Sequence, residues 1–205
     1  TKSDPPSDYQ RASGGHFLYP GVVSRKAFEE FTDDAIRRYF LHPSYWTIDG
    51  RPYFSVYDLT KLLASFGGVV QTRDALDDFR ARAQSAGLPG LHLNAVVWGA
   101  AILPGETAAT DPAKLVRDLG FDSVTSYVWI HHGGLRDFPF TDYSGVRDNY
   151  LAYWDRVEQE FDLPYYPNVT MGWDSSPRTV QSDVFRNIGY PFTPIISGNT
   201  PEAFR

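Results

Sequence analysis

Leu91-His92-Leu93-Asn94-Ala95-Val96-Val97-Trp98 is the stretch on which the fold turns. It closes in a nearly continuous apolar run, Ala95 to Trp98. A strand apolar on both faces suits a parallel sheet covered by helices rather than a sheet with one wet side. On its N-terminal side, Ala75, Leu76, Phe79, Ala83 and Ala86 recur at helical spacing behind Thr72 as a cap, and Gly87 closes that helix. Before it, Tyr53 to Tyr57 reads as a short buried strand after a turn spanning Trp46 to Pro52. Earlier still, Ser24 caps a helix from about Arg25 to Tyr39, which His42-Pro43 ends.

On the C-terminal side, Asp111-Pro112 opens a short helix through Leu119. Ser123 to Trp129 reads as a third strand, about Ser144 to Phe161 as a longer helix, and Tyr165 to Met171 as a fourth strand. Gly172 to Asn199 carries no convincing helix, and Thr200-Pro201-Glu202 then starts one that the chain does not continue. Helices alternating with strands predict an α/β fold with a parallel sheet. Four such strands are half of an eight-stranded barrel. The expectation is therefore a partial (β/α)8 TIM barrel of about four central β/α units, with residues 1–205 the central fragment of one domain. The four strands should lie adjacent in chain order.

Composition narrows the function. The formal net charge of −6 argues against a nucleic-acid or anionic-membrane surface. The absence of Cys removes disulfides, thiolate catalysis and zinc–cysteine sites together. No apolar stretch approaches the roughly 20 residues needed to span a bilayer, and the polar start, Thr1 to Asp8, displays no signal peptide. Five Trp, 13 Tyr and 14 Phe supply many rigid apolar faces, which suit sugar sites and ordinary cores alike.

In a barrel, chemistry gathers where strands end and loops begin. Those positions hold Tyr57-Asp58, then Trp98, then Tyr127 to Gly134 with His131-His132, then Gly172-Trp173-Asp174 through Arg178. Aromatic and polar residues at all four ends fit a carbohydrate pocket. Each also has a structural reading. Asp58 precedes a helix-like stretch it can cap; Trp98 and Trp129 can pack in the core; Asp174 and Arg178 can pair across their loop. Adjacent His on a strand point to opposite faces, so His131-His132 predicts no metal site. Asn168-Val169-Thr170 matches a glycosylation sequon but falls inside an expected strand.

Four segments resemble one known family. Tyr45-Trp46-Thr47-Ile48-Asp49-Gly50-Arg51-Pro52-Tyr53-Phe54-Ser55-Val56-Tyr57 is similar to the Y-x-x-I-x-G-(K/R)-P-x-F-x-x-Y signature of glycoside hydrolase family 99-like domains, which include WbsX-type proteins and, more distantly, endo-α-mannosidases. Leu119 to Val124 resembles their G-F-D-x-(V/I) segment, Met171 to Arg178 their G-W-D-N-T-P-R segment, and Ser197 to Phe204 their G-N-(T/S)-P-E-x-F segment. The resemblance implies a (β/α)8 barrel acting on glycosidic bonds of a polysaccharide or glycan, with no metal or organic cofactor. It implies Tyr57, Asp58, Trp173, Asp174 and Arg178 as sugar-contacting residues; strand-end position adds Tyr127, His131 and His132. The family's N-E-N-W and W-N-E-W-x-E-G motifs have no counterpart here, and the second carries its catalytic Glu pair. That pair is expected beyond Arg205, which leaves this chain without catalytic residues and inactive alone. The alternative is a non-catalytic glycan-binding or polysaccharide-biosynthesis barrel of the kind labelled a glycosyltransferase.

Overall fold

The computed structural model describes residues 21–102, 108–180 and 183–205. The stretch Thr1 to Asp8 lies outside them. Helix α1, Arg25–Ala35, is capped by Ser24, whose side chain accepts from the Ala27 N–H. Phe28, Thr32 and Ala35 form its buried stripe, and a π-helical turn, Ile36–Phe40, carries the stripe on through Ile36 and Phe40.

Asp49 and Gly50 both have positive φ, 51° and 74°. That left-handed pair is the geometry of a two-residue hairpin, so β1 (Thr47–Ile48) folds back antiparallel on β2 (Arg51–Val56). The strand expected from Tyr53 thus begins two residues earlier, inside the expected turn. Asp58 caps α2 (Leu59–Phe66), and Gly67, at φ 87°, ends it. Helix α3 runs Val69–Ser85. It starts earlier than the Thr72 cap predicts: Gly68 holds the cap position, and Thr72 is buried one turn in, its hydroxyl donating to the Gly68 carbonyl at 2.7 Å.

Strand β3, His92–Val97, is buried along its whole length. Helix α4 (Pro112–Leu119) is capped by the Asp111 side chain and closed by Gly120 at φ 69°. Strand β4 is Ser123–Ser126, and a single helical turn, α5 (Ile130–Gly133), follows. Then come β5 (Phe140–Asp142), α6 (Tyr143–Phe161), β6 (Tyr165–Tyr166), a 3-10 turn (Ser176–Arg178), β7 (Ile195–Ser197) and α7 (Pro201–Phe204), the last capped by Thr200.

The main sheet has the order β1-β2-β3-β4-β6, with β2, β3, β4 and β6 parallel. It curls into a half-barrel covered by helices. The four expected strands are adjacent and parallel in chain order, though the last pairs over only two residues. Asn94 stands opposite Ser123, and Val124 opposite Tyr165. Side chains alternate across the sheet. Leu91, Leu93, Ala95 and Val97 join Leu76, Phe79, Val116 and Leu119 in the helix-side core. Each fully buried Leu or Phe there contributes about 1.5–3 kcal/mol of hydrophobic free energy.

Two strand boundaries differ from expectation for one reason. The third strand stops at Ser126 because Trp129 is pulled into a second core, its ring stacked on Tyr150 at 5.0 Å and Tyr143 at 5.6 Å. Its N–H is 3.3 Å from the Thr170 hydroxyl and its indole N–H donates to the Asn168 carbonyl at 3.0 Å. With β4 ended, residues 167–171 have no ladder to join, and Asn168 and Thr170 serve instead as anchors for Tyr127 and Trp129. The region 172–199 also contains β7, which the sequence reading missed; it pairs parallel with β5 in a separate two-stranded sheet.

Candidate functional site at the strand-end rim

Parallel strands release their chains at one rim. At that rim Tyr57 follows β2, Trp98 follows β3, and Tyr127 follows β4. Tyr57 meets Trp98 edge-to-face at 4.8 Å and Tyr127 edge-to-face at 5.1 Å; Trp98 and Tyr127 are 5.8 Å apart. Such geometry places ring edges on ring faces, which the aromatic quadrupole favours. Tyr57 and Tyr127 are each 43% exposed, so this cluster is a surface and not core.

His131 completes the cluster from below. It is 2% exposed and meets Trp98 edge-to-face at 4.5 Å. Its Nδ1 donates to the Ala100 carbonyl at 2.7 Å, which fixes the tautomer and ties the loop after β3 to α5. Tyr127 is held from the other side by Asn168, whose amide nitrogen donates to the Tyr127 carbonyl at 2.6 Å and to the Thr170 hydroxyl at 3.1 Å. Asn168 in turn accepts from the Tyr150 hydroxyl at 2.9 Å. Tyr150 and Ser126, the latter at 2.6 Å, both share hydrogen bonds with the Tyr165 hydroxyl. Burial pushes the Tyr165 phenol far above its ordinary range, so it stays protonated. The sequon asparagine is therefore occupied by structural bonds.

The other expected residues divide. Asp58 is the α2 cap: its carboxylate accepts from the Lys61 N–H at 2.9 Å and from the Thr60 hydroxyl at 2.7 Å. His132 does not join His131 at the rim. The two sit on a helical turn and not on a strand, and His132 stacks on Tyr153 at 3.9 Å. Burial, aided by the neighbouring His131, lowers its pKa to about 4, so it is neutral at physiological pH. Trp173 packs against the second core and donates its indole N–H to the Thr193 hydroxyl at 2.9 Å. Asp174 and Arg178 do not pair across their loop. Asp174 accepts from the Ser176 N–H at 2.8 Å, while the Arg178 guanidinium lies 5.9 Å from the centre of the Tyr190 ring. Trp98 is a rim residue and Trp129 a core residue, which separates the two tryptophans that the sequence left undecided.

A polar ladder lies on the sheet face away from the helices. Ser55 donates to Asn94 at 2.9 Å, Asn94 donates to the Ser123 hydroxyl at 2.8 Å, and His92 Nε2 meets that hydroxyl at 2.8 Å. The signal was present as His92 and Asn94 two apart within the deciding strand. At the N-terminal ends of the strands, Asp122 accepts from Arg51 at 2.8 Å, Arg80 at 3.1 Å and the Leu93 N–H at 2.8 Å. Burial alone would raise the Asp122 pKa, but the Leu93 amide and the two guanidinium groups together hold it below the ordinary carboxylate value.

A cavity of about 470 Å³ among Arg25, Phe66, Val70 and Asp74 lies among α1, α2 and α3, away from the strand ends. Its acid and base are already paired, Arg25 with Asp74 at 2.7 Å. The rim, with half-exposed tyrosine rings and the Tyr127 backbone anchored by Asn168, is the better candidate. Among the described residues no group of His, Asp and Glu is placed to hold a metal ion, and no helix is long and apolar enough to cross a membrane. A scan against protein-family models finds no match, and a search of curated proteins finds none.

Proposed function

We propose that the chain is a carbohydrate-binding part of a (β/α)8 barrel of glycoside hydrolase type, taking a polysaccharide or glycan at the strand-end rim. The observation that supports it is the cluster of Tyr57, Trp98 and Tyr127, whose partly exposed rings are the kind of surface on which a sugar stacks. Trp173, Asp174 and Arg178 extend the same surface in this reading. Asp58 is a helix cap first. Glycoside hydrolysis needs two positioned carboxylates. In this reading the chain's own part is to bind.

The test is calorimetric titration of the chain against neutral trisaccharides with α-mannosyl, α-glucosyl and β-glucosyl linkages. At least one should bind, and Tyr57→Ala should weaken that binding. No heat with any of the three, or affinity untouched by Tyr57→Ala, would retire the rim as a sugar site. The same titration separates binding from turnover, because release of monosaccharide by this chain would return Asp58 and Asp174 to a catalytic role.

A further inference from the structure

Gly99 follows Trp98 at the rim and rests directly on α5. A Cβ at position 99 would sit 2.5 Å from the His131 carbonyl oxygen and 2.6 Å from His132 Nδ1, closer than real side chains approach. Glycine is required there by contact, and the ring beneath it is that of His132. On its other side this ring stacks on Tyr153, 3.9 Å between centroids and 17° between planes. Both of its nitrogens are buried, and neither makes a hydrogen bond. His132 thus fills the space between the loop after β3 and helix α6, next to the His131 contact that holds Ala100.

We propose that His132 is a proton-operated latch: neutral, it seats the Gly99–Ala100 loop and so fixes Trp98 and His131 at the rim; protonated, it leaves its slot and releases them. The proposal rests on the reading of the rim as the binding site and assigns that site a regulation by acid. The groups facing the ring are His131 from its own turn, Tyr150, Tyr153 and Arg156 from α6, and the Val97 backbone from β3. None carries a negative charge. His131 and Arg156 oppose an imidazolium, and the Val97 backbone, which favours one, does not outweigh them and the burial. A protonated His132 gains by moving into water. Burial holds its pKa at about 4 in the slot, against 6.5 in solvent, so the seated form is fully favoured above 6.5 and loses ground as pH falls toward 4.

Nuclear magnetic resonance on the whole chain, without sugar, tests this apart from the binding reading. The amides of His132 and Gly133 bond to the Trp129 carbonyl and report the seating of α5; the His131 Nδ1 proton, bonded to Ala100, reports the loop. Protection of those amides, corrected for intrinsic exchange, should fall roughly 20-fold between about pH 7 and about pH 5, with loss of the His131 proton signal. His132→Phe keeps the stacked ring without the proton and should flatten both responses. Should that variant fail to fold, the wild-type imidazole titration decides: a midpoint near 4, with protection falling above it, supports the latch. Constant protection in the wild type, or an equal fall in His132→Phe, overturns it, whether or not any sugar binds.

Discussion

The two ends of the half-barrel are built from opposite materials. At the N-terminal ends of the strands, Arg51, Arg80 and Asp122 lock together with the Leu93 amide, every contact between 2.8 and 3.1 Å. At the C-terminal ends, Tyr57, Trp98 and Tyr127 touch edge to face, and the two tyrosines leave much of their surface to solvent. Charged groups with all partners inside the chain hold strands in register and have little left to offer a ligand. Half-exposed rings do the reverse. The contrast gives stability to one end and, in the proposed reading, recognition to the other, the division expected of barrel architecture.

The largest effect should come from the charged end. Asp122→Ala leaves two guanidinium groups and a backbone N–H without their acceptor and should cost about 4 kcal/mol, read by denaturant melts. Affinity per folded molecule at the rim should not change. If it falls too, the two ends are coupled and the division fails.

Acid should separate the ends by pH. Lowering of the His132 pKa from 6.5 to about 4 should withdraw about 3 kcal/mol of stability as pH falls through that window. Asp122 acts in the opposite range. Its carboxylate is held below the ordinary 3.8, so its contribution persists down to there and is lost only in stronger acid. Melts of wild type and His132→Phe should diverge between pH 6.5 and 4 and run parallel below. Parallel curves throughout would place the acid sensitivity elsewhere.

Tyr57→Ala, at the aromatic end, should cost less than about 1 kcal/mol of stability but reduce trisaccharide affinity about tenfold, or about 1.4 kcal/mol. A loss of stability with affinity intact would make the rings mere packing. The smallest effect belongs to Asp174→Ala. It removes one acceptor from the Ser176 N–H and should cost about 0.5 kcal/mol, with affinity down about threefold, or about 0.7 kcal/mol. Unchanged affinity would take the loop from Trp173 to Arg178 out of the site and narrow recognition to the ring cluster.

The contrast also separates what the sequence disclosed from what it hid. Periodicity and caps disclose elements whose own residues decide them: Ser24, Asp111 and Thr200 all cap where expected, and the deciding strand is buried from His92 to Val97. Tyr57 and Tyr127 are legible as rim residues because a parallel strand must end in a loop on that side. What was hidden depends on partners distant in the chain. Nothing local to Trp129 says that Tyr143, Tyr150, Asn168 and Thr170 will draw it out of a strand, and the same event turned the His131-His132 pair from two sheet faces to two sides of a helical turn. The pairing of β5 with β7, 55 residues apart from Phe140 to Ile195, is long-range in the same sense. The Asp174–Arg178 pair failed for a local reason: Asp174 lies two residues before an N–H it can accept from, and a turn bond that close needs no ordering of a long side chain.

Asn168 sets a direction as well as a position. The Tyr127 carbonyl can only accept, so the Asn168 nitrogen must face it and its oxygen must face Tyr150. Tyr150 then spends its one proton on Asn168 and has only a lone pair left for Tyr165; Tyr165 in turn spends its proton on Tyr150 and must receive one from Ser126. The four side chains form a one-way series from Ser126 to the Tyr127 carbonyl, each bond polarising the next. Reversing any one link would leave two acceptors facing each other with no proton between them. The backbone beneath the rim is thus gripped by a row of dipoles with a single sense, each proton already committed within the chain.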